Sequence, residues 1–319
     1  MTRADPRFAL LAPLALLFAC ETQSNQPIAG LQAPSFMTAE WSEWSAPVNL
    51  GTVVNSNVAD IAPTLSTDGR SLYLTSTRPG GFGSSDLWVS QRACDECPWQ
   101  APVNLGSVLN TAGIENRPSL SVDGHVLFFF SDRSGGHGGT DIWMSQRADP
   151  KDDFGWGAPV NLGPDVNTAD ADQAPWYVQN DLYFARGVGT APLDLYVASV
   201  TRDGETGGPA VPIFELNDPA AVDAGPTVRA DGREIIFHST REPLGQFDLY
   251  TAARRSNHDL WSAPVKLGAL NTAAIEQQPS LSHDGRTLVW SSNRPGSILN
   301  PAGLPSFDIY MSTRTPIGN

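Results

Sequence analysis

The chain has 319 residues, 40% of them hydrophobic, so it is long enough to bury a large core. Its 34 acidic side chains outnumber its 20 basic ones and give a formal net charge of −14. This balance argues against nucleic-acid binding and against adsorption to anionic lipid, because both need a basic surface.

Residues 1–19 are predicted to be a targeting segment. Arg3 and Arg7 make its start positive, and the apolar stretch 8–18 is too short to span a bilayer permanently. It ends as Leu-Phe-Ala followed by Cys20, which resembles the lipobox of bacterial lipoproteins. That resemblance implies that Cys20 is acylated and becomes the mature N-terminus. The alternative is an ordinary secretory signal with Cys20 incidental, but no Ala-x-Ala cleavage site competes with the lipobox.

Residues 20–40 are polar, contain proline and glycine and show no strand period, which predicts a flexible tether. Glu21 stands where an aspartate would mark inner-membrane retention, so sorting in enterobacteria suggests the outer membrane by analogy. We therefore expect an envelope lipoprotein that faces the periplasm or the cell surface. The lipid would be its only contact with the membrane, and we expect a monomer.

An internal repeat fills the rest of the chain. The stretch Trp-x-Ala-Pro-Val-x-Leu-Gly begins at Trp44, Trp99, Trp156 and Trp261, with a worn copy at 209–216. Its closing leucines are Leu50, Leu105, Leu162, Leu216 and Leu267, at spacings of 55, 57, 54 and 51 residues. Such a period indicates one supersecondary unit copied five times.

A second block recurs between these stretches. Its copies begin at Pro63, Pro118, Pro175, Pro226 and Pro279. Each copy holds three short apolar or β-branched runs parted by turn residues, and four copies use Asp-Gly at the first turn, which is typical of hairpin strands. With the tryptophan stretch as a fourth strand, four antiparallel strands per unit predict an all-β protein, a β-propeller at 41–319.

The order of the runs predicts how the ring closes. The chain starts with the fourth strand of a blade and ends with the third strand of one. The N-terminal strand should therefore complete the last blade, which hides an edge that would otherwise be exposed. Five blades is the prediction, with six as the fallback if a weak blade escaped notice.

Cys94 and Cys97 form a Cys-Asp-Glu-Cys sequence between the third and fourth strands of the first blade. In an oxidising compartment we expect them to form a disulfide. A thioredoxin-like redox role would need a helix N-terminus, and zinc would need two further ligands.

One acid and one arginine recur in each copy. The acids stand three residues before the repeat prolines and are Asp60, Glu115, Asp172, Asp223 and Glu276. The arginines open the connection between the second and third strands and are Arg78, Arg133, Arg186, Arg241 and Arg294. The structural interpretation is a salt bridge or a backbone clasp in each copy that holds neighbouring blades together. The functional interpretation is an acidic ring at the channel mouth that binds a cation or a basic group, with calcium as the cofactor alternative to none.

No enzyme signature is present in the sequence. It lacks a Gly-x-Ser-x-Gly elbow, a His-Glu-x-x-His sequence and a phosphate-binding loop. Glycosidases use paired carboxylates in different environments, whereas the recurring carboxylates here are equivalent by repeat. We therefore predict no catalytic residues and no metal ligands.

The repeat block resembles the PD40, or WD40-like, repeat of TolB. The resemblance rests on Pro-Ser-Leu-Ser-x-Asp-Gly at 118–124, its second copy at 279–285, and Ser-Asn-Arg-Pro-Gly at 292–296. It implies a non-catalytic envelope propeller that binds a protein partner or serves as a scaffold. The alternative is a carbohydrate-active enzyme or a glycan-binding lectin that uses the channel mouth.

Overall fold

The computed structural model describes residue 1 and residues 41–189, 191–241 and 246–317. These residues form five four-stranded antiparallel sheets, the blades of a β-propeller. The predicted fold class and blade number are confirmed. The predicted signal segment 1–19 and tether 20–40, with Cys20, lie outside the described residues and stay predictions.

The strands follow the repeat. The domain opens with β1 (Val48–Asn49) and one helical turn, α1 (Gly51–Val54). Blade one contains β2 (Asp60–Leu65), β3 (Ser71–Ser76), β4 (Asp86–Gln91) and β5 (Val103–Asn104). Blade two contains β6 (Glu115–Leu120), β7 (Val126–Ser131), β8 (Asp141–Gln146) and β9 (Val160–Asn161). Blade three contains β10 (Ala171–Val178), β11 (Asp181–Gly187), β12 (Leu193–Ser199) and β13 (Val211–Pro212).

The last two blades repeat this order. Blade four contains β14 (Asp223–Val228), β15 (Glu234–Ser239), β16 (Asp248–Ala253) and β17 (Val265–Lys266). Blade five contains β18 (Glu276–Leu281), β19 (Thr287–Ser292) and β20 (Asp308–Thr313), with β1 as its outer strand. Val48 pairs with Met311 and Asn49 with Tyr310, so the N-terminal strand closes the ring as predicted.

The first strand of each blade, its innermost strand, carries a bulge at the residue before the repeat proline. The five residues there have φ between 51° and 60° and are Ala62, Arg117, Ala174, Gly225 and Gln278. Proline cannot donate a ladder hydrogen bond, and a bulge accommodates it by interrupting the pairing. The repeated proline therefore fixes one kink per blade at the same level of the ring.

The hydrophobic core lies between neighbouring blades. One cluster joins Tyr73 and Leu87 of blade one to Phe129 and Trp143 of blade two. Another joins blades three and four around Trp176. Each blade therefore buries its apolar side chains only against its neighbours, as expected for a repeat architecture.

The blades present two faces, which we name by their connections. The loop face consists of the inter-blade connections, such as 50–59, and those between second and third strands, such as 77–85. The turn face consists of the first hairpin turns, such as 66–70, and the connections between third and fourth strands, such as 92–102. Within the described part of the chain, no helix is both long and apolar enough to cross a membrane.

Candidate functional site

The repeated acid and arginine are in contact within each blade. In blade one, Asp60 is fully buried and accepts hydrogen bonds from the Ser56 amide (2.5 Å), the Ser56 hydroxyl (2.7 Å) and Ser76 Oγ (2.6 Å). Arg78 Nη2 lies 2.5 Å from the same carboxylate. The acid is the first residue of the innermost strand of blade one.

All five pairs have this arrangement. The acid–arginine distances are 2.5 Å for Asp60–Arg78, 3.1 Å for Glu115–Arg133, 2.6 Å for Asp172–Arg186, 2.5 Å for Asp223–Arg241 and 3.0 Å for Glu276–Arg294. Both partners belong to one blade, so the carboxylate does not itself bridge neighbours. The arginine does so instead, because its Nη2 also donates to a carbonyl of the incoming connection, such as Val54 O at 2.7 Å in blade one.

Burial decides what these carboxylates can do. All five acid side chains are 0% exposed, and their arginines are 10–15% exposed. Burial raises the pKa of Asp172 although Arg186 and Thr168 stabilise its charged form. An enclosed, ion-paired carboxylate cannot meet a ligand without breaking its pair, which favours the structural interpretation of the ring.

Arg117 crosses the centre of the ring. It is fully buried in β6, and its Nη2 donates to the carbonyls of Gly225 (3.0 Å), Pro226 (3.2 Å) and Pro279 (2.7 Å) in blades four and five. Burial lowers its pKa to about 9, which leaves it protonated at neutral pH. Among the described residues, no carboxylate forms an ion pair with it. The propeller is therefore pinned across its axis by one buried cation.

The neighbours of Arg117 are neutral. His238 is buried beside it, and burial followed by the charge of Arg117 lowers the pKa of His238 to about 3. His238 Nδ1 accepts a hydrogen bond from the Gln278 amide at 3.1 Å, and Gln278 Oε1 accepts one from the Ala62 amide at 3.1 Å. These contacts tie blades four, five and one together, and they supply no acid–base pair at the axis.

The glycine-rich runs of the loop face wrap around carboxylates of the protein itself. Asp86 accepts hydrogen bonds from the amides of Phe82 (2.5 Å) and Gly83 (3.0 Å). A Cβ on Gly81 would lie 2.1 Å from the Asp86 carboxylate, so only glycine fits there. Asp141 holds the second run in the same way. The amides that could have bound a phosphate are already occupied.

In four of the five blades a second arginine, which the sequence interpretation missed, stabilises the connections of the turn face. Four arginines follow the third strand, and each guanidinium covers the tryptophan of the repeat stretch. The centroid distances are 4.5 Å for Arg92–Trp99, 4.3 Å for Arg147–Trp156, 4.2 Å for Arg254–Trp261 and 4.4 Å for Arg314–Trp44. Each Nε also donates to the glycine carbonyl of its own hairpin turn. Blade three has Val200 at the arginine position and, by the strand register, Gly207 at the tryptophan position, so it lacks the clasp.

Three of these arginines also join neighbouring blades. Arg254 of blade four donates from Nη2 to the Tyr183 hydroxyl of blade three at 3.0 Å. Arg147 of blade two lies 2.9 Å from Asp153, whose carboxylate accepts hydrogen bonds from Ser71 (2.5 Å) and Tyr73 (2.6 Å) of blade one. Burial, followed by the charge of Asp153, raises the pKa of Tyr73 well above its usual value. Arg314 of blade five forms a two-bond pair with Glu234 of blade four.

Cys94 and Cys97 form a disulfide in the connection of blade one on the turn face. Across the described residues, no three His, Cys, Asp or Glu side chains come together as a metal site would require. The prediction that the protein uses no cofactor stays a prediction.

No protein-family model and no curated protein match the chain. Among solved structures, it is similar to an endo-arabinase from Bacteroides thetaiotaomicron, with a TM-score of 0.55, 16% identity and coverage of 87% of this chain and 98% of that chain. The catalytic domain of a GH62 α-L-arabinofuranosidase from Coprinopsis cinerea also has a TM-score of 0.55, with 13% identity and coverage of 88% and 98%. TolB from Acinetobacter baumannii has a TM-score of 0.50 and 14% identity, and the match covers 88% of this chain and 66% of TolB. At such identities the likeness shows the propeller fold alone.

Proposed function

We propose that this protein is a non-catalytic partner-binding or scaffold propeller of the bacterial envelope, anchored by lipid at Cys20. The observation that carries the proposal is the chemistry of the loop face at blades five and one. The connections 50–59 and 105–114 contain no charged residue, and 77–85 and 293–307 contain only their paired arginines.

This charge-free surface also exposes large apolar side chains. Its exposed members are Val53, Phe82, Val108, Leu299 and Leu304. Depletion of charge with exposed apolar side chains is typical of the centre of a protein–protein interface. In a chain of net charge −14, a protein partner that binds a surface without charged residues displaces water from the fewest charged groups, so the desolvation cost of binding is lowest there.

The proposed anchor would orient this surface. The described chain begins at Trp41, which bridges to Pro316 on the turn face. A flexible tether of about 20 residues would span roughly 25 Å. It would join the turn face, so the loop face would point away from the membrane towards a partner.

The anchor and the surface are tested separately. Cys20→Ser should move the protein from the membrane to the soluble fraction, and unchanged partitioning would overturn the anchor. Phe82→Asp combined with Leu304→Asp should abolish capture of a defined partner from envelope extracts. Val160→Asp, on the outer strand of blade two and 60% exposed, is the matched control. Equal capture by all variants would overturn the loop face as the binding surface.

The second candidate is glycan processing or glycan binding, which is favoured by the solved neighbours that act on arabinose-containing substrates by name. Hydrolysis of a glycoside needs a carboxylic acid and a carboxylate base or nucleophile in different environments. The five inner-strand carboxylates here are equivalent, buried and paired, and Arg117 occupies the axis. Turnover of 4-nitrophenyl α-L-arabinofuranoside by the purified chain, or binding on a glycan array, would establish this candidate and overturn the first.

A further inference from the structure

A cavity of about 320 Å³ opens on the turn face between blades two and three. Its walls include Val122 and Asp123 from the hairpin turn of blade two and Tyr177 and Val178 from the innermost strand of blade three. Arg202, from the next connection of blade three, lies at its rim. This volume is at the small end of the range for ligand sites and suits one or two side chains.

The cavity lies beside the blade that lost its clasp. At the position where the other blades place an arginine, blade three has Val200, which is fully buried and packs with Val126 and Phe128 of blade two. The boundary between these two blades is therefore held by apolar packing. The adjoining hairpin turn, Gln179–Asn180, has φ of 53° and 65° and is fixed by the Tyr177 hydroxyl, which donates to Asn180 Oδ1 at 2.9 Å.

The lining is apolar and firmly held. Tyr177 is 4% exposed and packs on Phe128 with ring centroids 4.7 Å apart. Val122, by contrast, leaves 44% of its surface exposed at the edge of the cavity. An apolar group that enters would thus meet a preformed surface and would cover a valine that now faces solvent.

The charges around this lining are predominantly negative. Asp123 lines the cavity, Asp181 pairs in register with the lining residue Val178, and Asp203 lines a neighbouring cavity together with Arg202. Arg202 lies 2.6 Å from Asp123, but both are exposed, at 55% and 40%. An exposed pair of this kind is weak and exchangeable. Arg202 faces Asp123 and Arg254 acts on Asp181, so three carboxylates face two guanidinium groups, and the excess negative charge favours a cation at the rim.

We propose that this cavity receives a lysine side chain of a protein partner. The four-carbon stem of lysine would cover Val122 and Tyr177, while the ammonium would reach the carboxylates of Asp123 and Asp203, as long basic side chains do when their stems are buried and their heads stay in water. Arg202 would compete for Asp123. This inference rests on the proposed partner-binding function but not on the loop-face surface, because the cavity would add a second contact on the turn face.

The probe is n-pentylammonium, which reproduces the lysine side chain together with its Cα, and the matched neutral probe is 1-pentanol. Titration of the isotope-labelled full-length chain, followed by amide NMR shifts, should move the Val122, Val178 and Asn180 signals with the ammonium and much less with the alcohol. Equal shifts with both probes, or no shift with 20 mM n-pentylammonium, would overturn the proposal.

Three variants identify the charge that matters. Asp123→Asn should weaken n-pentylammonium binding about two- to fivefold, the contribution of one exposed ion pair. Arg202→Gln removes the competitor and should tighten binding by a similar factor. Asp149→Asn, an exposed acid of the same face, is the control and should change little. If it weakens binding as much as Asp123→Asn, the attraction is only that of the net charge and the site is refuted.

The same variants separate this inference from the proposed function. If n-pentylammonium does not bind but the loop-face variants still lose a partner that the wild type captures, the cavity proposal fails and the partner-binding function stands. If the probe binds locally but no loop-face variant changes capture, the cavity proposal stands and the loop-face proposal fails.

Discussion

The substitution Arg294→Met measures how much one ion pair of the loop face contributes to stability. It keeps the apolar stem beside Tyr310 and removes the guanidinium. Glu276 then remains fully buried with hydrogen bonds only from Thr272 and Ser292. Removing one partner of a buried pair costs about 3–5 kcal/mol. Because the remaining hydrogen bonds still stabilise the Glu276 carboxylate, we expect the unfolding free energy to fall by about 3 kcal/mol, the low end of that range.

The matched control lies in the same blade. Arg286 pairs with Asp284 at 3.7 Å, and both side chains are more than half exposed. Arg286→Met should therefore cost between about 0 and 1 kcal/mol. Urea unfolding followed by tryptophan fluorescence gives both values, provided that each variant unfolds in a single cooperative transition.

A third variant identifies the cause of the loss. Glu276→Gln, added to Arg294→Met, replaces the stranded carboxylate with a neutral amide of the same shape. It should recover part of the lost stability, because the remaining cost is that of a polar group and no longer that of a buried charge. If Arg294→Met costs less than about 1 kcal/mol, or if the added Glu276→Gln only destabilises further, the pair is not a buried ion pair that needs both partners.

Four other predictions test different parts of the fold. Burial raises the pKa of Asp153, but hydrogen bonding and Arg147 outweigh it and lower this pKa from 3.8. The stability that the Asp153 carboxylate contributes is therefore present above about pH 4 and is lost as the pH falls through the folded-state pKa. The difference in urea midpoint between wild type and Asp153→Asn should accordingly shrink below about pH 4. Gly136→Ala places a Cβ 2.3 Å from an oxygen of the Asp141 carboxylate and should lower the unfolding free energy by about 1–3 kcal/mol. The Cβ of Gly139→Ala meets nothing within 4 Å, so this control should lose less in the same urea unfolding assay. Deleting residues 41–50 should sharply lower the melting temperature in calorimetry, because it exposes one edge of blade five; an unchanged transition would refute the closure. Millimolar calcium should leave the melting temperature unchanged, because the ring carboxylates already have arginine partners, and a concentration-dependent rise would show binding to the folded state.

The repeat predicted the fold because each blade is specified locally. Pro63 and its four counterparts mark the innermost strand, and the Asp-Gly turns fix the first hairpin. The N-terminal closure followed from counting strands, since the chain starts and ends within one blade. These inferences needed no knowledge of contacts between distant residues.

Other features depended on partners that sequence spacing does not reveal. Arg117 stands in a column that otherwise holds alanine, glycine or glutamine, so the sequence contained the signal of an odd residue but not its destination. Its three carbonyl partners lie more than a hundred residues away in blades four and five. The division of contacts, in which Arg78 pairs with Asp60 of its own blade and also donates to Val54 O of the incoming connection, likewise depends on a side-chain direction that the repeat alone does not fix.

The departures from fivefold repetition are therefore the most informative positions in this chain. The residues that repeat in the blades already have partners within the protein. The carboxylates pair with arginines, the glycine-run amides donate to aspartates, and the tryptophans pack under a second set of arginines. Blade three departs twice in one contact, with Val200 for the arginine and Gly207 for the tryptophan, and the cavity beside it is bounded by an exposed ion pair. A cation–π contact stabilises the fold only when both partners are present. An arginine kept without its tryptophan would therefore be a buried charge that no aromatic ring offsets. Loss of both residues removes that cost and leaves the surface beside blade three, to which we assign the lysine of a partner, outside the clasp, whereas the intact blades use the same surface to hold themselves together.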